Sequence, residues 1–305
     1  MKNANYYFTL FLVLFTTVFS FYNMFSIVKI SSDIFKVLYT NLLPSLLPFM
    51  ILISLCLSLG LIHILSYFIQ FLFCPLFHLT PMMSSLYFIS FFCGYPTNAK
   101  IIKEAYLYHY ITLDELEHLL SIASFSSLSF IFVSLSIPAP YNFIIYISHL
   151  LPSLLKAFTY KHSYTYLSFS DMLDHLKTPH ISFVKALKDA ISSSFYAFIF
   201  IAGYMLVFRF LSISISFLFP HPILYAFIQG ILEFSSGCFM LLQNNNLIIY
   251  SLISFLLSFS GISVMMQVDN ILDEIPYNFL SFFKTRLYHA FLSFFICLLV
   301  LLYFL

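Results

Sequence analysis

Charged side chains are scarce in this sequence. Of its 305 residues, 8% are charged and 61% are hydrophobic, and the mean hydropathy is +0.97. A soluble domain needs about 25% charged residues to cover its surface with solvated groups. The shortage excludes an ordinary soluble protein and predicts an all-α polytopic membrane protein. The net charge of +1 provides no basic surface for nucleic acid.

Sequence motifs for metal, nucleotide and covalent chemistry are also lacking. The five cysteines stand singly in apolar runs without a CxxC pair, which argues against disulfides and metal ligation. The ten histidines show no HExxH spacing, and no Walker loop, GxGxxG or GxSxG occurs. We therefore expect no cofactor, no ATP-driven pump and no enzyme, an intramembrane hydrolase included.

What is present is a series of apolar runs separated by short polar segments. The run from Tyr6 to Val28 is too long for a signal-peptide core and predicts a retained transmembrane helix over residues 1–28. The segment from Lys29 to Asn41 has one apolar and one polar face, typical of a helix lying along the membrane surface. This segment is the start of a predicted first repeat over residues 29–160. A polar connecting loop over residues 161–181 follows, and a second repeat covers residues 182–305.

One apolar run in the first repeat stops too early to span a bilayer. Crossing takes about 20 residues, but the run from Met82 meets glycine at position 94. We expect an interrupted helix inside the membrane, whose polar groups line a substrate path; a tight turn at the membrane surface is the alternative. The residues of this segment are Gly94, Tyr95, Pro96, Thr97 and Asn98.

The second half of the chain follows the order of the first. "GILEFSSGC" (230–238) interrupts an apolar run as "FFCGYPTN" (91–98) does, and "LSFSGISVMMQ" (257–267) resembles "ASFSSLSFIFV" (123–133). Two homologous halves with interrupted helices are the layout of secondary transporters, whose substrates bind at the repeat interface. Chance similarity among segments rich in Phe, Ser and Leu is the alternative.

The combination of "LLPSLLPF", "GYPTNAK", "EFSSG" and "SFSGISVMMQ" resembles the YlbJ-type sporulation integral membrane proteins. The resemblance covers roughly residues 30 to 300. It implies a nucleoside-recognition "gate" domain related to concentrative nucleoside transporters, and an endospore-forming bacterium. It also implies transport of a small solute across the cell membrane or a forespore membrane, with dipicolinate as the leading candidate.

Several charged residues are candidates for contact with a solute. Glu233 is the only acid between Asp189 and Asp269, and an intramembrane carboxylate is costly enough to suggest a function. It would bind a coupling proton or Na⁺, or contact the solute; an acid at the membrane interface is the alternative. Lys100 would attract a carboxylate or simply snorkel to the interface. Arg209 would pair with Glu233 or snorkel.

Small polar residues complete the predicted substrate site. Serines and glycines at the interruptions leave hydroxyl and backbone groups near a solute, and one glutamine offers a buried amide. These residues are Ser126, Ser235, Ser236, Gly237, Gly261 and Gln267.

These patterns favour a transporter for a small polar or aromatic anion. The alternatives are a nucleoside or nucleobase transporter coupled to Na⁺ or H⁺, and a membrane scaffold that recruits spore-assembly partners without transport. The expected partners are the solute and the lipid bilayer. The sequence leaves the oligomeric state open.

Overall fold

The computed structural model describes residues 2–161, 163–177, 181–244 and 246–304. Every element in these ranges is helical. Three helices there are long and apolar enough to cross a membrane, and the number reaches five if each of two bent helix pairs is one span. The chain is therefore an all-α integral membrane protein, as its composition predicts.

The N-terminal apolar run forms a shorter helix than the sequence suggests. The Asn23 side-chain amide donates to the Phe19 carbonyl (3.0 Å), and the chain turns there, ahead of the expected boundary at Val28. A π-helical turn, Leu38–Leu42, joins the amphipathic helix to the next one, and Pro44 lies in the first turn of that next helix. The helices are α1 (Lys2–Tyr22), α2 (Met24–Val37), α3 (Leu43–Ser58) and α4 (Ile62–Phe77).

The rest of the first half contains two interruptions. Residues 91–96, the first break, separate α5 from α6, and residues 123–129, the second break, separate α7 from a π-helical turn, Phe130–Ser134. A capping box starts α7: the Thr112 Oγ1 accepts from the Glu115 N–H (3.3 Å), and the Glu115 carboxylate accepts from the Thr112 N–H (2.8 Å). The helices are α5 (Pro81–Ser90), α6 (Thr97–Leu107), α7 (Leu113–Ile122) and α8 (Tyr141–Ala157).

The polar connecting segment is partly helical, since α9 (Phe169–Lys177) lies within it. Residues 162 and 178–180 of this segment lie outside the described residues. The segment is tied to α4 by a reciprocal pair: the Gln70 Nε2 donates to the Leu167 carbonyl (3.0 Å), and the Leu167 N–H donates to the Gln70 Oε1 (2.7 Å). The connection between the halves therefore packs on the first half.

The second half also contains two interruptions. Glu233, the third break, is extended between α11 and α12. Ser260, the fourth break, has φ +72° between α13 and α14. The helix that begins at Phe183 runs without interruption to Ser214. The helices are α10 (Phe183–Ser214), α11 (Pro222–Leu232), α12 (Phe234–Leu241), α13 (Leu247–Phe259), α14 (Gly261–Ile271) and α15 (Phe279–Phe304).

Candidate functional site: four helix breaks that meet at Tyr95

The first and second breaks lie against each other. The Tyr95 N–H donates to the Phe125 carbonyl (2.7 Å), and the Tyr95 hydroxyl lies 2.9 Å from the Ser126 Oγ. Gly94 approaches Ser127 so closely that a Cβ on Gly94 would lie 2.8 Å from the Ser127 nitrogen. Glycine at this position therefore allows the two interrupted segments to touch.

The second break keeps its backbone groups bonded through side chains of three other helices. Hydrocarbon offers no hydrogen-bonding partners, so a break at membrane depth persists only if protein groups replace the lost helical bonds. Here α6, α8 and α15 supply them. The bonds join Asn98 Nδ2 to the Ala123 carbonyl (2.7 Å), the Ser126 N–H to His149 Nε2 (3.0 Å), and the Arg286 guanidinium to the carbonyls of Ser121 (2.8 Å) and Ser124 (2.6 Å).

Tyr95 also reaches the fourth break, in the other half of the chain. Its hydroxyl donates to the Leu257 carbonyl at 2.9 Å, so the Ser126 hydroxyl donates to the Tyr95 oxygen. Leu257 lies in the last turn of α13, where carbonyls lack a helical N–H partner because the helix ends at Phe259. One phenol thus joins breaks 162 residues apart in sequence.

The third break packs against the fourth and is capped by its own acid. Glu233 is 2% exposed, and its carboxylate accepts from the N–H groups of Ser235 (3.0 Å) and Ser236 (2.8 Å) and from the Ser235 hydroxyl (2.6 Å). A carboxylate at a helix N-terminus satisfies unpaired N–H groups and complements the helix dipole. A Cβ on Gly261 would lie 3.0 Å from the Phe234 nitrogen.

Aromatic contacts complete the meeting of the four breaks. The Phe234 ring lies edge-on to Tyr95, with centroids 5.2 Å apart, and 5.1 Å from the Phe130 ring. Two buried ionisable residues belong to these breaks: Arg286 bonds the Ser124 carbonyl of the second break, and Glu233 is the third break.

Many polar groups at the breaks are bonded within the protein, whereas the buried Thr97 Oγ1 and Asn98 Oδ1 have no hydrogen-bond partner among the described residues. The sequence suggested backbone amides and carbonyls left unbonded for a solute. Instead Tyr95, Asn98 and Glu233 use their side chains to bond backbone groups, and Tyr95, Thr97 and Asn98 are all buried. Most residues of the first and second breaks are buried within the protein.

Other predicted residues have different partners from those we expected. Lys100 does not snorkel: it is buried and pairs with Glu104 at 2.6 Å. Gln267 donates to the Ser263 Oγ (3.2 Å) on its own helix. Arg209 makes no ion pair with Glu233 in the described structure and instead lies 3.6 Å from the Met240 sulfur. Gly237 has a packing role, because a Cβ there would lie 2.2 Å from the Gly230 Cα.

A cavity of about 250 Å³ opens beside the third break. Four of its polar residues come from three helices: Asp33 from α2, Arg209 from α10, and Ser235 and Ser236 from the start of α12. Two of the predicted substrate residues thus line a space next to a cation. The remaining lining residues are Ile30, Ile34, Val37, Met205, Phe239, Met240 and Gln243.

The sequence analysis missed Arg286 and His149. Arg286 is 1% exposed within an apolar helix, and an intramembrane ionisable residue is a functional candidate on that ground alone. His149 gave no such signal, since its role depends on two distant partners. Its Nε2 accepts from the Ser126 N–H, so in the neutral ring the Nδ1–H faces the Ser258 Oγ at 2.8 Å.

Comparison with known proteins agrees with the motif resemblance. The chain is similar to a sporulation integral membrane protein. That protein is "Sporulation integral membrane protein YlbJ" of Bacillus subtilis (strain 168), 25% identical over 285 residues, with 80% of this chain and 70% of the relative covered. The predicted likeness to YlbJ-type proteins is confirmed. No family model matches the chain, and no solved structure matches it.

Proposed function

We propose that this chain is a secondary transporter for a small anionic solute in the membranes of a sporulating cell, without enzymatic activity. The observation that carries the proposal is the meeting of four helix breaks at Tyr95 in a chain of apolar helices. Broken helices at membrane depth are tolerated only where protein buries them or a wet cavity adjoins them. In transporters such breaks lie at the interface of the repeats, where the substrate binds.

The solute binds first in the cavity beside the third break. Arg209 supplies a positive charge there, and Ser235 and Ser236 lie next to it. An arginine that bonds a carboxylate offers two parallel N–H donors and discriminates strongly against neutral ligands. An aromatic dicarboxylate such as dipicolinate fits this donor set, and the similarity to a sporulation protein supports the same candidate.

Movement of the solute requires an exchange of contacts between the halves. Tyr95, His149 and Arg286 each join the second break to residues of the other half or of a distant helix. Rocking of one half against the other would exchange these contacts and open the breaks to the opposite side, which is alternating access.

The direct test is uptake of labelled dipicolinate by vesicles containing the purified protein. We expect uptake above that of empty vesicles, reduced by unlabelled dipicolinate and not by uridine. Inhibition by uridine would favour the nucleoside transporter related to gate-domain proteins. No uptake of either compound under H⁺ and Na⁺ gradients would favour the scaffold. In that case, Glu233→Gln and Asn98→Ala would leave sporulation intact, whereas changes in the 161–181 segment would impair it.

Two substitutions test the binding site itself, one removing a positive charge and the other removing a negative charge. Arg209→Gln removes a charge-assisted hydrogen bond worth about 1.5–3 kcal/mol, so KM should rise roughly 10- to 100-fold. Asp33→Asn removes a repulsive charge from the same cavity, so KM should fall by a few-fold, roughly 1 kcal/mol. For a neutral nucleoside, the two substitutions would not change KM in opposite directions. Changes of KM in the same direction with both substitutions would contradict an anionic solute.

A further inference from the structure

A buried ion pair follows the first break on α6. The Lys100 Nζ lies 2.6 Å from the Glu104 Oε1, and the two side chains are 6% and 18% exposed. Lys100 also donates to the hydroxyl of Ser54 on α3. The second carboxylate oxygen, Glu104 Oε2, is buried and has no hydrogen-bond partner among the described residues.

This carboxylate differs from the other acids of the candidate site. Both oxygens of Glu233 accept N–H groups that start α12, so protonating Glu233 would uncap a helix. Glu104, in contrast, has one carboxylate oxygen, Oε2, that makes no hydrogen bond among the described residues. A second pair on the same helix, Lys103–Glu274, is 3.9 Å long with Glu274 78% exposed, and solvent screens such a pair.

The charge state of the buried pair depends on its surroundings. Lys100 and Glu104 together are neutral, and removing the charge of either one leaves the other uncompensated in a medium of low polarity, which is strongly unfavourable. Neutralising Glu104 would therefore leave Lys100 without a counter-charge unless another anion lies beside it. A solute carboxylate that reaches α6 would be such an anion.

We infer that Glu104 binds the coupling proton of this transporter, with Lys100 as its counter-charge. The inference rests on the proposed function and specifies its driving ion. A proton from the aqueous phase converts the Glu104 carboxylate to the acid while Lys100 pairs with the solute carboxylate. Release on the other side returns the proton to water and restores the Lys100–Glu104 pair. Each solute molecule is thus accompanied by one proton.

The other titratable groups near α6 are already engaged or exposed. Tyr108, which directly follows the last residue of α6, is exposed. From α3, the contact with the pair is the Ser54 hydroxyl, which does not titrate, and Cys56 is half-buried. Four acids on α7, on α14 and after α14 have partners of their own, in the pairs Glu115–Thr112, Glu117–Asn278, Asp269–Tyr277 and Glu274–Lys103. Asp273, which also follows α14, is exposed. The remaining titratable residues of α7 are Asp114 and His118. The His118 ring stacks on the Tyr160 ring.

Proton movement with the solute tests the inference. Vesicles would carry a trapped pH-sensitive dye, and labelled dipicolinate would be added outside. We expect the wild-type protein and Glu274→Gln, the matched exposed control, to acidify the lumen in step with uptake. Glu104→Gln should lower the protons moved per solute by at least about tenfold, while exchange of solute across the membrane continues. Proton movement unchanged in Glu104→Gln would overturn the inference.

A second variant controls for misfolding, and an independent readout does not depend on transport. Lys100→Gln/Glu104→Gln removes both charges together, which buried pairs tolerate far better than loss of one partner. Infrared spectroscopy of wild-type protein with added dipicolinate should show a new carboxylic-acid band on acidification. The band should be absent from the double variant and present in Glu274→Gln. A band that survives in the double variant, or none in wild type, refutes the inference. Failure of uptake in wild type refutes the proposed function instead.

Discussion

Replacing Gly94 with alanine tests how closely the first and second breaks approach each other. A Cβ at position 94 would lie 2.8 Å from the Ser127 backbone nitrogen and 3.0 Å from the Ser127 Cβ. Because the nearest atom belongs to the backbone, a side-chain rotation cannot relieve the contact. Overpacking of this kind costs about 1–3 kcal/mol.

Gly203 supplies a matched control. It lies within α10, and no atom lies within 4 Å of a Cβ built there. Alanine should therefore be neutral or stabilise the helix by about 0.5–1 kcal/mol. The two Gly→Ala variants should differ in unfolding free energy by at least about 1 kcal/mol, roughly a fivefold change in the ratio of folded to unfolded protein.

The assay is unfolding of the purified variants in mixed micelles with increasing SDS, followed by far-UV circular dichroism. Reaction of the neighbouring Cys93 with a maleimide provides a second readout. Cys93 is buried, so displacement of the first break in Gly94→Ala should accelerate labelling. Equal unfolding curves and equal labelling rates for Gly94→Ala and Gly203→Ala would refute the close contact of the breaks.

Two further substitutions test the bonds that join the breaks. Arg286→Met leaves the Ser124 carbonyl of the second break and the Ser121 carbonyl at the end of α7 without this donor. It should lower the unfolding free energy by at least about 2 kcal/mol, whereas Lys284→Met on the exposed side of α15 should change it by less than about 0.5 kcal/mol. Tyr95→Phe should cost about 1–3 kcal/mol by leaving the Leu257 carbonyl unbonded. In a double-mutant cycle with Ser126→Ala, a coupling energy near zero would show that the hydroxyl pair contributes nothing.

Local features of this fold could be predicted from the sequence. The capping box at Thr112 and Glu115 depends on residues three apart, and the break after Cys93 follows from the short apolar run and its Gly and Pro. Glu233 was predicted to matter because it is a lone acid among apolar residues. Its function as a helix cap was not predicted, since that required knowing that α12 starts at Phe234.

Contacts between distant segments could not be predicted in this way. Arg286 bonds carbonyls 162 and 165 residues earlier in the chain, and no periodicity within α15 indicates this. The spacing of Lys100 and Glu104 permits a helical ion pair, but the sequence does not show that the pair is buried. The bonding of break carbonyls by Tyr95, Asn98 and Arg286 likewise depends on tertiary packing.

The central claim is that a solute path passes between helix breaks that meet inside the membrane. An electron cryo-microscopy map of the protein in lipid nanodiscs with dipicolinate tests it most directly. The account predicts interruptions at residues 91–96 and at Glu233, Tyr95 beside Phe234, and ligand density between Arg209 and Ser236. Continuous helices through both positions, or ligand density far from them, would contradict it.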